Sequence, residues 1–159
     1  MSALRRAAAS QPACTICLAI VCNALDAYAA AHERTRRRTL ARMGKLTTHV
    51  LDIAAGIPAA GMRVELHDTT VSPSRLLAAR RTDEQGRCIP PLLEGDELRA
   101  GRYQLTFHAA EYFRSRGAQL PEPPFIDVVV IAFGVASPEQ AYHVPLLVSP
   151  WCYSTYRGS

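Results

Sequence analysis

The sequence predicts an all-β fold over residues 45–159, an antiparallel sandwich of two sheets with one short helix. Three observations carry this. Apolar and polar residues alternate with period two in "MRVELHD", "RYQLTFH" and "YHVPLLVS", as in a strand with one buried and one wet face. The stretches "AAGIPAAG", "TDEQGR", "EGDELRAG" and "LPEPP" punctuate those runs, with the residues that tight turns require. The several long helical patterns of a doubly wound α/β fold are absent.

Along the chain, "LTTHVLD" is the first strand, with Thr47, His49 and Leu51 on one face. In "MRVELHD", Met62, Val64 and Leu66 point one way and Arg63, Glu65 and His67 the other. "RYQLTFH" sets Tyr103, Leu105 and Phe107 against Arg102, Gln104, Thr106 and His108. His67 and His108 are therefore expected at the surface. "AAEYFRSRG" (Ala109 to Gly117) is the one helical stretch. "FIDVVVIAF" is uniformly apolar, which predicts a strand covered on both sides. The last long run puts Tyr142, Val144, Leu146 and Val148 opposite His143, Pro145, Leu147 and Ser149. Proline cannot donate to a ladder, so Pro145 predicts an edge position or a bulge.

The chain of 159 residues is the size of one domain with one core. Its net charge of +4 is unevenly spread. Residues 1–44 carry seven arginines against Asp26 and Glu33, a net of +5; residues 45–159 carry 11 basic and 12 acidic side chains, a net of −1. The body has no electrostatic reason to bind nucleic acid. No window holds the ~20 continuous apolar residues of a membrane span. Cys14, Cys17 and Cys22 lie in the first segment and only Cys88 and Cys152 in the body, too few and too far apart for a disulfide framework or a zinc site.

Arg5-Arg6, "CTICLAIVCNAL" and "AYAAA" have the order of a secretory signal peptide. The arginines of "HERTRRRTLAR" that follow oppose translocation. Residues 1–44 thus read as a leader or an extension ahead of a domain at 45–159, with Met43 an alternative start. The expected compartment is cytoplasmic, or periplasmic if residues 1–31 are a cleaved signal.

There is no GxSxG, HExxH, P-loop or Rossmann fingerprint, which removes several large enzyme classes. His49, His143 and Arg87, the last closing the turn "TDEQGR", are the polar residues best placed for chemistry. Taken singly, each is as well explained as an ordinary strand histidine or turn arginine.

The combination says more. "KLTTHVLDIAAGIPAAG", "TDEQGR", "PLLEGDEL", "YQLTFHAAEYF", "PFIDVVVIAFGV" and "YHVPLLVSPWCYSTYRGS" occur in order from Lys45 to Ser159. Together they resemble the transthyretin-like 5-hydroxyisourate hydrolases, whose hallmark is the terminal "YRGS". The resemblance implies a prealbumin-like sandwich of two four-stranded sheets, a homotetramer, and a C-terminus tucked into a cleft between dimers. Position by position it implies catalytic roles for His49, Arg87, His143 and Ser159. Substrate contact is implied for His49, Arg87 and Tyr156. It further implies 5-hydroxyisourate as the small-molecule substrate, with no cofactor or metal and no nucleic-acid or membrane partner. Cys152 departs from the small polar residue expected there, and residues 1–44 have no counterpart. The rival with the same fold is a carrier; an immunoglobulin-type sandwich would need a Cys…Trp…Cys arrangement that is missing here.

Overall fold

The computed structural model describes residues 44–158. The readings made for residues 1–43, and the role expected of Ser159, lie outside the described residues. Eleven short strands form in chain order: β1 (Lys45–Thr47), β2 (Val50–Asp52), β3 (Ile57–Pro58), β4 (Arg63–Asp68), β5 (Arg75–Arg81), β6 (Leu93–Glu94), β7 (Gly101–Phe107), β8 (Val129–Val135), β9 (Tyr142–His143), β10 (Leu146–Val148) and β11 (Tyr153–Thr155). The helix α1 spans Ala109–Ser115, where the sequence places it. Among the described residues no helix is long and apolar enough to cross a membrane.

One layer is the sheet β5-β4-β7-β8, antiparallel throughout. The other consists of β6-β1-β9 and β11-β10-β2-β3. These two pieces are continuous. Val144 N–H donates to the Thr47 carbonyl at 3.0 Å and Leu146 N–H to the His49 carbonyl at 2.9 Å, so β1–β2 and β9–β10 act as two long strands with an interruption. The Thr48 hydroxyl fills that gap, donating to the Val144 carbonyl at 2.7 Å. Side chains from both layers meet in one core that includes Leu46, Val64, Leu105, Phe107, Leu146 and Val148.

The expectation of antiparallel sheets holds for the first layer and is corrected in the second, where β1 pairs parallel with β9 and β2 parallel with β10. Pro145 is neither at an edge nor a bulge in a continuous ladder. It occupies the interruption between β9 and β10, while β10 itself lies between β2 and β11. The missing N–H costs nothing there, and the Pro145 carbonyl still accepts the Thr155 hydroxyl at 2.8 Å.

The reading of "FIDVVVIAF" is also corrected. Val129, Ile131 and Val135 are buried, whereas Val128 and Val130 are 40% and 46% exposed. β8 is an edge strand of its sheet, and in the single chain only its inner face meets the core. His67 and His108 are half-buried instead of on the surface. His67 buries its Nδ1, and the His108 ring lies between Arg63 Nη2 at 3.0 Å and Glu65 Oε1 at 3.4 Å.

Two devices hold the second layer in place. Asp52, buried at the end of β2, accepts the N–H groups of Ala54 and Ala55 at 2.9 and 3.0 Å and the Tyr112 phenol at 3.1 Å. The carboxylate thereby shapes the following turn and ties α1 to β2. Burial, with Asp52 alongside, pushes the Tyr112 phenol up to about 12, so it stays a donor. The second device is the turn at 83–87. The Asp83 carboxylate accepts from Gln85 N–H at 2.9 Å and Arg87 N–H at 2.8 Å. Gly86, at φ +72°, offers its carbonyl to Val50 N–H at 2.8 Å.

A Cβ at residue 86 would run into the Val50 carbonyl, and an L side chain resists that φ. Gly86→Ala is therefore expected to destabilise the fold by at least ~2 kcal/mol. Urea unfolding of the two proteins checks this, and equal midpoints would contradict it.

Candidate active site

The site follows from strand periodicity and register. On β1–β2 the even-numbered Leu46, Thr48, Val50 and Asp52 are buried, and the odd-numbered Thr47, His49 and Leu51 are half-buried on the opposite face. The parallel register sets Thr47 opposite His143, so His143 shares the face of Thr47 and His49. The Thr47 hydroxyl and His143 Nδ1 are 2.9 Å apart. From the other side, Arg87 forms a bridge with His49 as the turn at 83–87 ends.

Three sequence-predicted residues are thus brought together: His49, Arg87 and His143. They feel one another electrostatically. Burial depresses the His49 pKa below its ordinary 6.5, and the Arg87 guanidinium adds to the effect, against the opposing pull of the Gln85 main chain and Asp83. Burial also depresses the His143 pKa, again helped by Arg87 and then by His49. Two imidazoles with lowered pKa beside an exposed guanidinium form a set that can take a proton and steady a developing anion.

The end of the chain arrives at the same place. Gly158 bridges His143 and donates its N–H to the His143 carbonyl at 2.9 Å. A Cβ on residue 158 would sit 2.6 Å from His143 Cδ2, so only glycine lets the backbone lie against the imidazole. Tyr156 is 60% exposed, and no contact among the described residues ties its phenol to the imidazoles.

Two contributors were missed from sequence as site residues. Thr47 carries a signal, since it stands two residues before His49 on the same strand face. The Gln85 main chain carries none, because any residue type supplies a carbonyl. Cys88 and Cys152 are free thiols. Burial raises Cys88 to about 11, which makes it a core residue and no nucleophile.

The sandwich and its site place the chain in a known class. A family model described as the HIUase/Transthyretin family matches residues 46–158, and the chain belongs to that family. The 5-hydroxyisourate hydrolase of Pseudomonas aeruginosa is 54% identical over 117 residues, covering 74% of this chain and 93% of that protein. The solved 5-hydroxyisourate hydrolase of Klebsiella pneumoniae superposes with a TM-score of 0.61 at 34% identity, over 73% of this chain and 99% of that one. Sea bream transthyretin in complex with thyroxine reaches a TM-score of 0.64 at 24% identity, over 72% of this chain and 94% of that one. The last likeness shows the shared fold alone.

Because both imidazoles are depressed, they should titrate below pH 6.5. Replacing Arg87 by Gln removes a cation that disfavours their protonation, so both pKa values should rise toward, without passing, the ordinary value. Carbon–proton NMR titration of the ring resonances checks this; unmoved midpoints in Arg87→Gln would break the electrostatic link.

Proposed function

We propose that the chain hydrolyses 5-hydroxyisourate to 2-oxo-4-hydroxy-4-carboxy-5-ureidoimidazoline, a step of urate breakdown. The observation that carries this reading is the convergence of His49, Arg87 and His143, with Gly158 against the His143 ring. The family and the 54% identical hydrolase from Pseudomonas aeruginosa supply the substrate.

The reaction adds water across the N1–C6 bond of the six-membered ring. An imidazole of the His49–His143 pair takes a proton from water while its oxygen bonds to C6. Charge that gathers on the C6 oxygen faces the planar donor fork of Arg87. As the C6–N1 bond breaks, the electron pair stays on nitrogen and the histidine pair returns a proton to it. The opened ring carries a carboxyl at C6. General acid–base help of this kind is worth roughly 10²–10⁴ in rate. Thr47 holds His143 through Nδ1, which leaves Nε2 as the nitrogen available for proton transfer. Ser159 joins this hydrogen-bonded network in the proposal, and Tyr156 helps to hold the substrate.

The working unit in this reading is a homotetramer with the site in the cleft between dimers. Support comes from exposed apolar side chains that a lone soluble chain seldom gathers: Val130 on the edge strand β8, and Phe125 and Trp151 with ring centroids 6.5 Å apart. The compartment proposed is cytoplasmic, with a periplasmic location if residues 1–31 are cleaved.

Generating 5-hydroxyisourate from urate with urate oxidase, and following its near-ultraviolet decay, tests the activity. The chain should accelerate decay well beyond the spontaneous rate. His143→Ala should lose roughly 10²-fold in kcat with little change in KM, and Arg87→Ala should lose kcat and raise KM. Removing Ser159 should abolish most turnover in a folded β-protein. Decay at the background rate from a folded wild-type chain would refute the hydrolase reading.

A further inference from the structure

Arg157 precedes the glycine that meets His143, and its side chain has partners of its own. Its Nη2 donates to Gln140 Oε1 at 3.0 Å, and its Cζ lies 4.9 Å above the centroid of the Tyr142 ring. That ring is a fixed platform. It is buried, and its hydroxyl accepts the N–H groups of Ala136 and Ser137 at 3.1 Å each. Tyr142 also stands in strand register with Leu46, one residue before His143 stands opposite Thr47.

Consecutive residues of the terminal segment therefore attach to consecutive residues of β9: Arg157 to Tyr142, and Gly158 to His143. The second attachment is a main-chain hydrogen bond and a close backbone approach to the imidazole. The ladder of β11 on β10 ends at Thr155, and Tyr156 and Arg157 beyond it are exposed, so the placement of Gly158 depends on what holds Arg157. A guanidinium stacked on an aromatic face keeps freedom to slide; an acceptor in the plane of its fork removes it. Gln140 supplies that acceptor from outside the terminal motif.

We propose that Gln140 is a positioning residue. By holding Arg157 on the Tyr142 ring it sets where Gly158 bears on His143, and thereby aligns the imidazole for the hydrolysis proposed above. The turnover effect rests on that reading, whereas the effect on Gly158 does not.

The experiment uses the full chain as wild type, Gln140→Ala and Gln140→Glu. Alanine removes the acceptor; glutamate keeps a carbonyl-type oxygen in reach of the guanidinium. Two quantities are read: steady-state turnover of 5-hydroxyisourate, and the hydrogen exchange of the Gly158 amide by NMR. In Gln140→Ala, kcat should fall about tenfold with KM within about twofold, since misalignment affects the transition state more than binding. The Gly158 amide should exchange about tenfold faster in that variant while the core amides of β7 keep their protection. Gln140→Glu should match wild type in both. Wild-type exchange at Gly158 in Gln140→Ala would overturn the proposal, as would Gln140→Glu failing alongside Gln140→Ala. An inactive wild type would refute the hydrolase reading alone, and the exchange comparison would still decide the role of Gln140.

Discussion

Residues 45–52 and 142–148 run side by side in one parallel register, and the geometry of the site depends on it. Leu46 faces Tyr142, Thr47 faces His143, and after the interruption Val50 faces Leu146 and Asp52 faces Val148. The sequence separation is the same on both sides of Pro145, so the break carries no slip. The core enforces this. Leu46, Val50, Leu146 and Val148 are all fully buried, and a shift of one residue would turn them outward. Burying one face thus dictates what stands on the other, where Thr47, His49 and His143 are neighbours. The Thr48–Val144 hydrogen bond pins the register at the point where the main-chain ladder is weakest.

Electrostatics then follows from placement. Each imidazole is lowered first by burial and next by Arg87, and Arg87 reaches them because the turn at 83–87 is docked on β2 through Gly86 and Val50. The guanidinium thereby serves two ends. It adds to burial in lowering both histidine pKa values, and in the proposed reaction its exposed donor fork faces the carbonyl. The proposed reaction needs this cation beside the two histidines. The Asp83 carboxylate fixes the Arg87 main chain by accepting N–H groups of the turn, and the Arg87 side chain is exposed.

Much of the fold was legible because its cause is local. Met62, Val64 and Leu66, and Tyr103, Leu105 and Phe107, each show one face to one core, and the alternation reports that directly. The edge strand β8 misled for an equally physical reason: Val128 and Val130 are apolar on the uncovered side, a pattern that imitates a strand buried on both faces. The parallel pairing was not legible, since it joins residues far apart in sequence, and periodicity gives faces without partners. The same limit applied to the site. His49 and His143 could be nominated as residues on strand faces, yet their adjacency exists only through the register. The terminal motif drew attention by family likeness; the attachment of Arg157 to Gln140 and Tyr142 had no sequence signal at all.

The dependence of the site on strand register is tested most directly by a double-mutant cycle on turnover, combining Thr47→Val with His143→Ala. If Thr47 acts by holding the His143 ring, Thr47→Val alone should lower kcat about tenfold, and it should cost nothing further once His143 is alanine. Losses that simply multiply in the double variant would show that Thr47 acts independently of His143. That result would contradict a site built from the pairing of these two strands.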